Sequence, residues 1–136
     1  EGRAAVVYTK GNNNCCLILR GGTQPNYKHN DIQQIVEQLK TEEMKVGILV
    51  DASHGNSGKD WEQQINVVDY LIAMRHPSIC GIMVESFLQN GKQSLQNKEF
   101  GVSVTDSCIG WEMSEQLMIR FNASQKSPIN RLANIS

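Results

Sequence analysis

The sequence predicts an α/β domain built on a small parallel sheet. Three apolar runs recur at near-constant spacing, each ending in a polar residue followed by small ones. The segments between them carry apolar residues at helical intervals. From Arg20, at the end of the first run, to His54, after the second, is 34 positions; from His54 to Glu85, after the third, is 31. A separation near 30 is what a strand–helix–strand unit takes.

Each element follows in order. Ala4 to Tyr8 and Cys15 to Leu19 flank Thr9-Lys10-Gly11-Asn12-Asn13-Asn14, which predicts a hairpin, or a strand leading in through a Gly/Asn turn. The first run, Cys16-Leu17-Ile18-Leu19, ends at Arg20-Gly21-Gly22. Asn30 or Asp31 is then expected to cap a helix whose Ile32, Ile35, Val36 and Leu39 form one apolar face. The second run, Val46 to Val50, ends at Asp51-Ala52-Ser53-His54. A second helical stripe is expected at Trp61, Ile65, Val68 and Ile72, with Pro77 preventing further helix. The third run, Ile79 to Val84, ends at Glu85-Ser86. Ser114 is expected to cap a third helix with Leu117, Met118 and Phe121. The polar end of the chain, 123–136, reads as a frayed tail. Strands that are apolar throughout suit a parallel sheet buried on both faces. Three strands are too few to close. The sheet is therefore either small and open or part of a (β/α)₈ barrel, which takes about 250 residues.

The 136 residues form one domain, and 40% apolar with 20% charged residues makes it globular. A net charge of −1 offers no electrostatic footprint for nucleic acid. No stretch approaches the roughly 18 apolar residues of a membrane span. No charged segment followed by an apolar one reads as a secretory signal. Cys15, Cys16, Cys80 and Cys108 form no C-x-x-C pair, which reads as reduced thiols in a cytoplasmic protein. Cys80 and Cys108 are expected to be buried as small hydrophobes, and Trp61 and Trp111 to pack. His29 and His76 read as surface residues.

In either architecture ligands sit at the carboxyl ends of the strands, and Arg20, His54 and Glu85 all lie there. A neutral imidazole and a carboxylate at neighbouring strand ends suit a divalent metal, and Asp106 is a candidate third ligand. Arg20 followed by two glycines suits a phosphate or carboxylate: the guanidinium binds in a fork, and the glycines let a ligand approach the backbone. Plainer roles stay open at each position. His54 can be a turn residue, Glu85 and Asp106 local caps, and Arg20 an ion-pair partner.

Five strings occur in a set order. They are Leu19-Arg20-Gly21-Gly22-x-x-Pro25-Asn26-Tyr27, Asp51-x-Ser53-His54-x-Asn56-Ser57-x-Lys59 and Gly81-x-Met83-Val84-Glu85-Ser86, then Gly91-x-Gln93-Ser94-Leu95 and Gly101-x-Ser103-Val104-Thr105-Asp106-x-Cys108-Ile109-Gly110-Trp111-Glu112. Together they resemble the carboxyl-terminal part of the type I 3-deoxy-D-arabino-heptulosonate 7-phosphate (DAHP) synthases, from about Ala4 to Phe121. The resemblance implies a (β/α)₈ TIM barrel, of which this chain supplies strands six to eight and a preceding hairpin. It implies the condensation of phosphoenolpyruvate with erythrose 4-phosphate, the first step of the shikimate pathway to the aromatic amino acids. It also implies a divalent metal (Mn, Fe, Co or Zn) held by a Cys, a His, a Glu and an Asp.

His54, Glu85 and Asp106 match three of those ligands, with His54 and Asp106 at the reacting centre. Arg20 and Asp106 match substrate contacts, Arg20 on phosphoenolpyruvate. Asp51 and Ser53 are expected to orient His54. The cysteine ligand and the family's Lys-Pro-Arg-Thr motif are not in these residues. The expected partners are therefore the upstream remainder of the barrel and, as in relatives, further copies of the chain. This segment is expected to be inactive alone. The alternative is a truncated half-barrel that serves as an interaction or oligomerisation module.

Overall fold

The computed structural model describes residues 2, 4–12, 14–96 and 99–125. Its elements are β1 (Cys16–Leu19), α1 (His29–Thr41), β2 (Gly47–Asp51), α2 (His54–Ser57), α3 (Trp61–Met74), β3 (Ile79–Met83) and α4 (Trp111–Gln125). The strands form one parallel sheet in the order β1-β2-β3. Leu19 pairs with Val50, and Asp51 with Met83, so the three carboxyl ends are level. A bulge between Ile48 and Leu49 shifts the register of β3 by one residue.

Sequential strand order, with each crossover right-handed as parallel units almost always are, puts the connecting helices on one side of the sheet. The core confirms it. Leu19, Ile48 and Val50 pack with Ile32 of α1, Val67 and Val68 of α3, and Leu117 of α4. The expectation of a sheet buried on both faces is therefore corrected. Ile18 and Met83, which point away from this core, are 47% and 39% exposed.

Other boundaries shift for local reasons. α1 begins at His29, ahead of both expected caps; Asp31 instead sits in the first turn, where its carboxylate accepts from the Lys28 backbone N–H at 3.0 Å. α3 is capped by Asp60, whose carboxylate accepts from Glu62 N–H at 3.0 Å. The buried stripe of α3 is Gln64, Val67, Val68 and Leu71, rotated by about a residue from the expected one. α4 begins at Trp111, so Ser114 lies inside it, and its hydroxyl donates to the Gly110 carbonyl at 2.8 Å. Trp111 is 60% exposed and Cys80 is exposed, both against expectation, whereas Cys108 is buried. No strand forms over the described residues of Ala4–Asn12, so the upstream hairpin is not seen. α4 runs to Gln125; the rest of the expected tail, 126–136, lies outside the described residues. Among the described residues, no helix is long and apolar enough to cross a membrane.

Candidate functional site

Arg20, His54 and Glu85 follow the carboxyl ends of the strands, and Asp106 lies in the loop between β3 and α4. After β2 the backbone turns sharply into α2. His54 takes a left-handed conformation there, with φ of 43°. That conformation is uncommon outside glycine and concentrates at functional positions. Its ring is fixed from behind. Asp51 is 1% exposed; one of its oxygens accepts the Ser53 N–H at 2.8 Å, and the other lies 2.7 Å from His54 Nδ1. A carboxylate can only accept, so Nδ1 carries the proton and Nε2 presents its lone pair forwards. Ser53 contributes through its backbone: its N–H binds Asp51, and its carbonyl accepts from the N–H groups of Asn56 and Ser57.

His54 Nε2 lies 3.8 Å from a Glu85 oxygen and 3.8 Å from an Asp106 oxygen. One donor atom from each of His54, Glu85 and Asp106 lies within 4.8 Å of the other two. The set fits a divalent cation. Two carboxylates and an imidazole supply hard and borderline donors, and atoms about 2.1 Å from a common centre are separated by distances of this order. The tie from imidazole Nδ1–H to carboxylate is the usual support behind a metal-bound histidine. Glu85 and Asp106 are partly exposed, so the site opens to solvent on their side.

Arg20 joins from the neighbouring strand end, its Nε 4.0 Å from the Asp51 carboxylate and its side chain largely in solvent. The two glycines after it do not both serve a ligand, as the sequence suggested. A Cβ on Gly21 would lie 2.6 Å from the Asn56 nitrogen and the Gly55 carbonyl carbon; a Cβ on Gly55 would lie 2.7 Å from Gly21. Gly21 therefore lets the arginine loop pack backbone to backbone on the histidine turn, while Gly22 faces open space.

Sequence reasoning missed two buried amides. Asn56 Nδ2 donates to the carbonyls of Leu19 at 3.0 Å and Asp51 at 2.8 Å, and its oxygen accepts from Asn26 N–H at 2.8 Å. It binds the Arg20 loop to the end of β2. Gln64, on α3, accepts from the Glu85 N–H and donates to the carbonyl of Ser107, next to Asp106. The available signal was a polar residue inside an otherwise apolar helical stripe.

The sequence model of the DAHP synthetase I family matches residues 2–119. The chain belongs to the DAHP synthetase I family. Among family members, an Escherichia coli protein named phospho-2-dehydro-3-deoxyheptonate aldolase, Phe-sensitive, is 41% identical over 123 residues, covering 86% of this chain and 35% of that protein. A Saccharomyces cerevisiae relative, named as the phenylalanine-inhibited aldolase, is 37% identical over 131 residues, again covering 86% and 35%. The solved structure of the Francisella tularensis phospho-2-dehydro-3-deoxyheptonate aldolase superposes with a TM-score of 0.83 at 34% identity, over 88% of this chain and 37% of that one. This DAHP synthetase family chain thus spans about a third of the length of these two curated relatives.

Proposed function

We propose that the chain is the carboxyl-terminal part of a (β/α)₈ barrel, its strands being the sixth to eighth. In the complete protein it serves the condensation of phosphoenolpyruvate with erythrose 4-phosphate. Three features support this: sequential parallel strand order, helices on one sheet face, and the span of about a third of the Escherichia coli and Saccharomyces cerevisiae relatives. The observation that carries the chemistry is the convergence of His54 and Glu85, just past the ends of β2 and β3, with Asp106 from the loop before α4.

In this reading the three residues hold a divalent metal together with an upstream cysteine, in a cytoplasmic enzyme of the shikimate pathway. The metal supplies Lewis acidity to the aldehyde of erythrose 4-phosphate. Asp51 holds the His54 ring with Nε2 forward, and Ser53 holds Asp51. Arg20 binds the anionic phosphoenolpyruvate and brings its enol carbon within reach of the aldehyde, turning encounter into proximity. Asp106 also contacts substrate in this reading. A carbon–carbon bond forms to the aldehyde carbon, whose oxygen becomes a hydroxyl. Water adds at the second carbon of the former phosphoenolpyruvate, and inorganic phosphate departs.

The test is steady-state assay of the complete protein with both substrates, before and after chelation. Metal-dependent phosphate release is expected; its absence in a folded, metal-loaded preparation would overturn the reading in favour of a non-catalytic half-barrel.

A further inference from the structure

Gln64 is 1% exposed, among the largest fully buried side chains of the chain. It occupies the core stripe of α3, where an apolar residue would pack without a hydrogen-bonding demand. Burying a primary amide is costly unless its bonds are made, and here they are made to the metal centre's own main chain. Gln64 Oε1 accepts from the Glu85 N–H at 2.8 Å. Its Nε2 donates to the carbonyl of Ser107, the neighbour of Asp106, at 3.0 Å, and lies 3.4 Å from the Glu85 carbonyl.

We propose that Gln64 is a positioning residue that sets the separation of the Glu85 and Asp106 carboxylates. The proposal rests on the metal-centre reading above. Among the described residues, no side chain hydrogen-bonds either carboxylate; His54 Nε2 lies 3.8 Å from each. Their placement is therefore inherited from the backbone. That backbone comes from two separate segments, the end of β3 and the loop before α4, which Gln64 bridges from α3. Like charges at this range push the segments apart. A tie at the main chain opposes that spreading without occupying a coordination position.

The test uses the complete protein stripped of metal, with Mn²⁺ alone as probe. Gln64→Met keeps length and removes every hydrogen bond; Gln64→Asn keeps the amide but is too short to span both segments. Mn²⁺ affinity is read by electron paramagnetic resonance titration, beside the thermal midpoint of the metal-free protein. Gln64→Met is expected to weaken Mn²⁺ binding by about 10- to 100-fold, the usual cost of losing an outer support, with a smaller loss in Gln64→Asn. The bound Mn²⁺ spectrum should change in both. Wild-type affinity in Gln64→Met, whatever its thermal midpoint, overturns the proposal. If that variant does not fold, wild-type affinity in Gln64→Asn overturns it. His54→Ala separates the two levels. Undiminished Mn²⁺ binding there overturns the metal-centre reading and this proposal with it. Loss there, with wild-type affinity in the Gln64 variants, overturns this proposal alone.

Discussion

The Arg20 loop and the His54 turn meet at two missing side chains, and this contact is the most exacting in the site. Gly21 has φ of 72° and faces the Gly55–Asn56 backbone at a distance no Cβ tolerates. Gly21→Ala combines left-handed strain of about 1–2 kcal/mol with a clash the backbone must yield to. It is expected to lower the urea midpoint clearly, whereas Gly22→Ala, in open space, should leave it near wild type. His54→Ala is expected to abolish metal-dependent activity in the complete protein; normal turnover in that variant removes the ligand assignment. Arg20, His54, Glu85 and Asp106 were legible in the sequence because each charged or polar residue follows an apolar run or a small-residue loop. Asn56 and Gln64 were not, because a buried amide and a solvated one are spelled alike. The difference lies in tertiary carbonyls that the sequence does not display.

Among the elements, the three strands that form were legible almost to the residue, while the upstream strand and the helix starts were not. Apolar runs mark strands through burial, which composition reports directly. A helix start depends on which nearby oxygen reaches the free N–H groups, and several candidates usually compete. At α3 the winner is Asp60. Asp60→Ala is expected to cost about 1 kcal/mol, seen as a lower chemical-denaturation midpoint. The turn after α3 carries a pH response. Burial, and then the neighbouring His29, hold the His76 imidazole below the usual histidine value, and Ser78 N–H donates to His76 Nδ1 at 3.2 Å. The unfolded chain takes up this proton near pH ~6.5, the native chain only at lower pH. Stability from this group is therefore present above that value and falls as pH drops through the window just below it. His76→Gln should reduce the difference between urea midpoints measured at roughly pH 7.5 and 5.5. An unchanged difference assigns the acid sensitivity elsewhere.

For the whole molecule, the sheet's two faces decide what the chain can do alone. One face is sealed by α1, α3 and α4; the other leaves Ile18 and Met83 substantially exposed. The apolar character of both faces was legible in the unbroken hydrophobic runs. That only one is covered was not, because the sequence of a strand does not say whether its neighbours belong to the same 136 residues. The candidate cation site repeats the pattern. Among the described residues the chain supplies three candidate ligands that face one another, two of them partly exposed, and Arg20 beside the Asp51 that holds His54. A site open on one side exchanges its cation readily and does not exclude water from the substrates. The purified 136 residues are accordingly expected to bind Mn²⁺ weakly and to release no phosphate from phosphoenolpyruvate and erythrose 4-phosphate. The complete protein should do both well. Turnover by the isolated chain would show that the site is already whole, and would overturn the assignment of its missing half to upstream residues.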